Sequence, residues 1–121
     1  MNGDAVGVRK VALESAEHYT WGEGCDGWHL VRHGELSVIR ERMPPGTAEV
    51  RHFHHAARQF FFVLSGAAVL EAGGTEYQLR GGEGVQVDPG VPHQMFNRSQ
   101  ADVEFLVTSQ PRSHGDREVV G

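Results

Sequence analysis

The stretch "GTAEVRHFHHAARQFFFVLSG", residues 46–66, holds three histidines within four positions, then a glutamine, then an apolar run that closes on glycine. In an extended segment residues two apart project to the same side, so His52 and His54 point together while Phe53 points away. Two imidazoles on one face of one strand have the reach to bind a single ion. An isolated His-x-His pair is also common on solvated strands, so the pair needs support from elsewhere in the chain.

The 121 residues suit a single domain with a real core. Apolar residues make up 39% of the chain, which excludes a disordered polypeptide, and no apolar run is long enough to span a bilayer. The opening "MNGDAVGVRKVALESAEHYT" has neither a signal-peptide core nor an Arg-rich amphipathic character, so the expected location is cytoplasmic. Cys25 is the only cysteine and implies no disulfide. A formal net charge of −5 without a basic run argues against nucleic acid or an anionic membrane surface as partner.

Sixteen glycines and five prolines punctuate the chain, and only a weak helical periodicity near the N-terminus interrupts a pattern of short strands. Strands are expected at 36–43, 48–54, 59–66, 67–72, 75–80, 85–88, 93–97 and 102–109, with Gly73-Gly74 as a two-residue hairpin turn. Seven or eight strands at this spacing give an all-β sandwich or small barrel. The organisation expected is an N-terminal extension with edge strands at 1–35, a barrel at 36–110 and a tail at 111–121.

A second stretch, "GEGVQVDPGVPHQMFN" at 82–97, supplies another histidine at fixed spacing. Together the two stretches resemble the paired motifs of the cupin superfamily. Gly46, His52, His54 and Gly66 stand in the register of G-x5-H-x-H-x3–4-E-x6-G, with Gln59 in place of the glutamate. Gly82, Gly90, His93 and Asn97 follow G-x5-P-x-G-x2-H-x3-N, with Asp88 in the proline position and Pro89 one place later. The resemblance implies a jelly-roll β-barrel, also called a double-stranded β-helix. It further implies one divalent ion inside the barrel, held by His52, His54, Gln59 and His93.

Three neutral imidazoles and a neutral amide leave such an ion its full +2 charge, which suits an anionic enolate or carboxylate ligand. The alternative is that Gln59 hydrogen-bonds at the rim without ligating. Imidazole-rich sites accept zinc, nickel, iron, manganese or copper. Strand alternation places Val50, Phe61, Val63 and Met95 with the ligands as pocket walls. Phe60, Phe62 and Leu64 make the opposite face apolar too, and a homodimer is expected there.

The remaining candidates read as surface or structure. His55 points away from His54, and Cys25 is expected in a glycine-rich loop, "WGEGCDGW", as a bland side chain rather than a nucleophile. His18, His29, His33 and His114 lack paired spacing, with His29 or His33 a candidate for the cavity mouth. No general base stands out beyond the ligands; Glu49 and Glu104 are the candidates, each read as lying on a solvated strand face. Two function classes remain open. One is a metal-dependent enzyme acting on a small oxygenated molecule, as dioxygenase, isomerase or cyclase. The other is a non-catalytic module that senses or stores a small ligand or metal. Regulatory cupins are often fused to a DNA-binding helix-turn-helix, for which these 121 residues offer no helices, and that favours the enzyme.

Overall fold

A computed structural model describes residues 5–113 and 115–120 of the protein. Eleven strands are found among the described residues: β1 (Glu17–Trp21), β2 (Cys25–Arg32), β3 (Ser37–Met43), β4 (His52–His54), β5 (Arg58–Ser65), β6 (Ala67–Ala72), β7 (Thr75–Arg80), β8 (Gly84–Val87), β9 (His93–Phe96), β10 (Val103–Gln110) and β11 (Arg117–Val119). They form a six-stranded sheet, β1-β2-β3-β10-β5-β8, and a five-stranded sheet, β11-β4-β9-β6-β7. All pairings are antiparallel. The result is the all-β jelly roll.

Alternation explains the layers. On β5, Gln59, Phe61 and Val63 are buried while Phe60 and Leu64 are exposed, and on β10, Val103, Phe105 and Val107 point into the same interior. Leu70 and Met95 from the other sheet complete a core in which both sheets bury alternate residues.

The strands expected between 59 and 80 match within a residue at each end, because turn chemistry fixes them. Gly73 and Gly74 both take positive φ and close the β6–β7 hairpin as the mirror-image turn that matches strand twist. Gly66 lies at φ 85°, where a Cβ would come within 2.4 Å of the Asp102 carbonyl oxygen, so the motif glycine is dictated by close backbone approach.

One expected strand is shortened, and strands also form in the segments flanking the barrel. The expected strand 48–54 is reduced to His52–His54, with Ala48 forming an isolated bridge to Phe96; residues 46–49 are instead tied to β9 and Asn97 by single backbone hydrogen bonds. Residues 1–35 contain the hairpin β1–β2, with β1 at the sheet edge. Residues 111–121 contain β11, which pairs with β4 in the register Arg117↔His54 and Val119↔His52.

Candidate metal centre and the cavity around it

β4 projects His52 and His54 to one side, and β9 begins with His93 in direct register with His52. The Asp88-Pro89-Gly90-Val91 turn brings β9 into place. Gly90 takes φ 82°, the position after proline that favours glycine, and its N–H donates to the His54 carbonyl at 2.8 Å. The ring centroids lie 4.5 Å (His52–His93), 5.0 Å (His52–His54) and 5.9 Å (His54–His93) apart. One nitrogen from each lies within 4.8 Å of the others, and all three side chains are buried.

The backbone sets the state of two of these rings. His52 Nδ1 contacts the Val50 carbonyl at 2.7 Å and His93 Nδ1 the Val91 carbonyl at 2.9 Å. A carbonyl accepts only, so each Nδ1 carries the proton and each Nε2 keeps its lone pair. His54 Nδ1 is buried and meets no hydrogen-bond partner among the described residues. Burial holds His52 and His54 down to about 4 and also lowers His93, so all three are neutral at physiological pH. A buried set of neutral imidazoles is the protonation state metal binding requires.

Gln59 enters the cluster from β5. Its Nε2 donates to Ser109 Oγ at 3.0 Å, and its Oε1 lies 3.0 Å from His93 Nε2. An amide oxygen therefore faces a nitrogen lone pair. Adjacent ligands on an ion with bonds of about 2.1 Å stand roughly 3 Å apart, so a cation fits between these two atoms. The residues present fit a bound divalent metal.

The cluster opens into a cavity of about 710 Å³ between the sheets. His52, His54, Gln59, Phe61 and Val50 line one part of it, and His93 lies just behind with 1% exposure. Tyr19, His29 and Glu41 from β1–β3, joined by Glu49 from the segment before β4, line another. The exposed Arg112 and Arg117 also border the cavity and form no ion pair among the described residues.

Gly27 shapes this second wall. It is the register partner of Tyr19, and a Cβ there would lie 2.2 Å from Tyr19 Cζ, so the phenol ring lies across the bare glycine backbone. The Tyr19 and His29 rings are 5.1 Å apart. Glu49 Oε1 accepts the Met95 N–H at 3.0 Å, while no hydrogen bond or ion pair involves the Glu41 carboxyl among the described residues. Burial, reinforced by the charge of Glu49 and opposed by Arg117, raises Glu41 to about 8. Burial raises Glu49 to about 7, against the Met95 N–H and Arg117. Burial and the same two carboxylates push the Tyr19 hydroxyl up as well.

Of the four expected wall residues, Val50 and Phe61 border the cavity, whereas Val63 and Met95 are fully buried in the core beneath it. Their inward direction follows the alternation, but the cavity ends above them. His29 borders the cavity, and His33 borders a separate surface depression. His18 contacts Asp26 at 2.7 Å, His55 contacts Glu118 at 3.0 Å, and His114 lies outside the described residues. Cys25 starts β2 rather than sitting in the loop and is fully buried, with its thiol pushed up by that burial. Glu104 pairs with Arg40 on the outer face.

The reading of Glu49 as solvated is corrected, because the short β4 leaves residues 46–51 outside any ladder and turns Glu49 inward. Glu41 was missed, although the strand carried a signal. In "SVIRERM", Arg40 and Arg42 are outward by alternation, which assigns the carboxylate between them to the interior. Asn97, the last motif residue, is structural: its Nδ2 donates to the Met43 and Ala101 carbonyls, each at 2.8 Å.

The cupin-domain family model matches residues 39–109, more than half of the chain. The protein belongs to the cupin family. Among curated relatives, the HTH-type transcriptional regulator PuuR of Escherichia coli is 33% identical over 86 residues, which span 68% of this chain and 46% of that regulator. The oxalate-binding protein of Thermotoga maritima is 28% identical over 67 residues, 55% of each chain. Among solved structures, a sugar phosphate isomerase of the cupin superfamily from Silicibacter pomeroyi superposes with a TM-score of 0.77 at 26% identity, over 86% of this cupin and 76% of that chain. No helix among the described residues is long and apolar enough to cross a membrane.

Proposed function

We propose that this cupin holds one divalent metal ion on His52, His54, His93 and the Gln59 amide oxygen, and uses it on a small oxygenated molecule bearing a carboxylate or enolate-forming carbonyl. The observation that carries the reading is the convergence of one nitrogen each from the buried His52, His54 and His93 within 4.8 Å, with Gln59 Oε1 3.0 Å from His93 Nε2. Zinc, nickel, iron, manganese and copper all suit the donor set. When bound, the ion supplies Lewis-acid stabilisation of negative charge on a substrate oxygen. The chain's own residues do the rest: Phe61 and Val50 supply apolar walls, Arg112 and Arg117 supply cationic rim groups for a ligand anion, and Ser109 orients the Gln59 amide.

The enzyme reading, as isomerase, cyclase or dioxygenase, draws support from the sugar phosphate isomerase likeness and from ionisable groups lining the cavity. A second reading, a ligand-sensing module, is favoured by the 33% identity to part of PuuR. Either role is assigned to the cytoplasm and to a homodimer. The dimer reading rests on the outer face of β5, where Phe60 and Phe62 stack at 6.0 Å and Phe60 and Leu64 are 43% and 37% exposed. Sedimentation at micromolar concentration is expected to give twice the chain mass; a monomer there refutes it.

Paired titrations of Gln59→Glu test the metal reading. A carboxylate adds a full charge at nearly the same reach, so metal binding tightens. The ion's residual charge then falls from +2 to +1, so citrate binds more weakly. Unchanged metal affinity, or tighter metal binding with undiminished citrate affinity, contradicts the reading.

A further inference from the structure

The cavity wall facing the histidines contains two carboxyls, Glu41 and Glu49, that form no ion pair among the described residues. Several acids on the outer strand faces are ion-paired, as in Arg40–Glu104, Arg51–Glu71 and Arg98–Glu76. Glu41 has no such partner among the described residues, yet it sits in the inward register of β3 and borders the cavity. Glu49 is fixed at several atoms: its N–H donates to the Met95 carbonyl, its carbonyl accepts Gln94 Nε2, and its Oε1 accepts the Met95 N–H. Its carboxyl is thus held in place rather than mobile at the surface.

An independent observation marks the same cavity as a ligand site. His54, 5% exposed, borders it with a buried Nδ1 that lacks a partner among the described residues. The groups that face the acids are Tyr19 from β1, His29 from β2 and Arg117 from β11, and Phe105 of β10 lies beside Glu41 in the sheet.

We propose that Glu41 and Glu49 form the general acid–base pair of this cavity, moving a proton at the carbon beside the carbonyl of a small anionic substrate. The proposal deepens the metal reading above and rests on it for the placement of the substrate oxygen. In the step, the ionised carboxyl removes the proton from that carbon. The C–H electron pair becomes a C=C bond, and the carbonyl π pair moves to oxygen, giving an enolate. The neutral carboxyl then returns a proton to the same carbon as the carbonyl re-forms. Nothing is oxidised or reduced, and the net change is hydrogen exchange or inversion at one carbon. Glu41 is raised to about 8 and Glu49 to about 7, so near neutral pH the pair includes both a protonated and an ionised member, as two-way proton transfer needs.

The experiment follows loss of the C–H signal of pyruvate and of dihydroxyacetone in D2O by ¹H NMR, using the full chain supplied with zinc. Wild type is expected to exchange at least one probe faster than buffer with zinc. Glu41→Gln is expected to slow this by about 100-fold or more at wild-type zinc content. Glu49→Gln is expected to slow it too and to displace the pH–rate profile, and it tests the same pair should E41Q fail to fold. An E41Q rate within twofold of wild type overturns the proposal. So does a zinc-loaded wild type that exchanges neither probe, an outcome that leaves the metal reading standing. A chain that holds no zinc yet exchanges, and loses exchange in E41Q, upholds the pair and refutes the metal.

Discussion

Two walls of one cavity bury ionisable groups in opposite ways. The histidine wall carries bases whose burial drives protons off, leaving neutral donors whose lone pairs converge. The acidic wall carries acids whose burial drives protons on, leaving carboxyls that hold a proton near neutral pH. Desolvation acts on both and disfavours the charged form in each. The difference teaches that one dielectric environment, applied to residues of opposite proton chemistry, yields a cation site on one side and a proton store on the other.

The comparison breaks or sharpens at several points. The largest expected effect is on the histidine wall: zinc at a hundredfold excess over its Kd should add about 2.7 kcal/mol to folding stability, read as a rise in the denaturant midpoint. The same addition to His52→Ala/His54→Ala should do nothing. On the acidic wall, Gly27→Ala drives a methyl into the Tyr19 ring and should cost about 1–3 kcal/mol, while zinc content stays at the wild-type level. A variant as stable as wild type would mean that Tyr19 is not seated by the glycine.

The smallest effect is a slope in pH. Glu41 and Glu49 have folded values raised above 4.5, so the native state binds more protons than the unfolded chain between the two values. Their contribution is fully present below about 4.5 and is lost as pH rises through 7 to 8. The histidines act in the opposite direction, but only between about 4 and 6.5. Stability of the metal-free chain should therefore decline from pH 6.5 to 8, and the double variant Glu41→Gln/Glu49→Gln should flatten that decline. A flat wild-type profile would show that the acids are not held protonated.

The two walls also differ in how far the sequence discloses them. His52 and His54 are legible together from strand alternation, the resemblance to the paired cupin motifs adds Gln59 and His93, and the glycines at 66 and 90 mark the backbone geometry that delivers them. The jelly roll is legible for a related reason, since the β6–β7 hairpin is closed by Gly73-Gly74 and the crossover from β5 to β6 turns at Gly66, all at positive φ. The acidic wall depends on tertiary facts. Glu49 turns inward because β4 is short, and Tyr19 reaches the cavity because Gly27 lies opposite it across a hairpin. β11 was also hidden, because Arg117–Val119 is a three-residue edge strand without apolar alternation, exposed throughout. Glu41 alone could have been found, from the two outward arginines that bracket it.

The most direct test of the central claim is metal content per chain, measured by inductively coupled plasma mass spectrometry on protein purified without added metal or chelator and again after zinc loading and desalting. The account predicts about one divalent ion per wild-type chain after loading and none in His52→Ala/His54→Ala. Wild-type stoichiometry in the double variant, or a wild-type chain that retains no ion after loading, would contradict it.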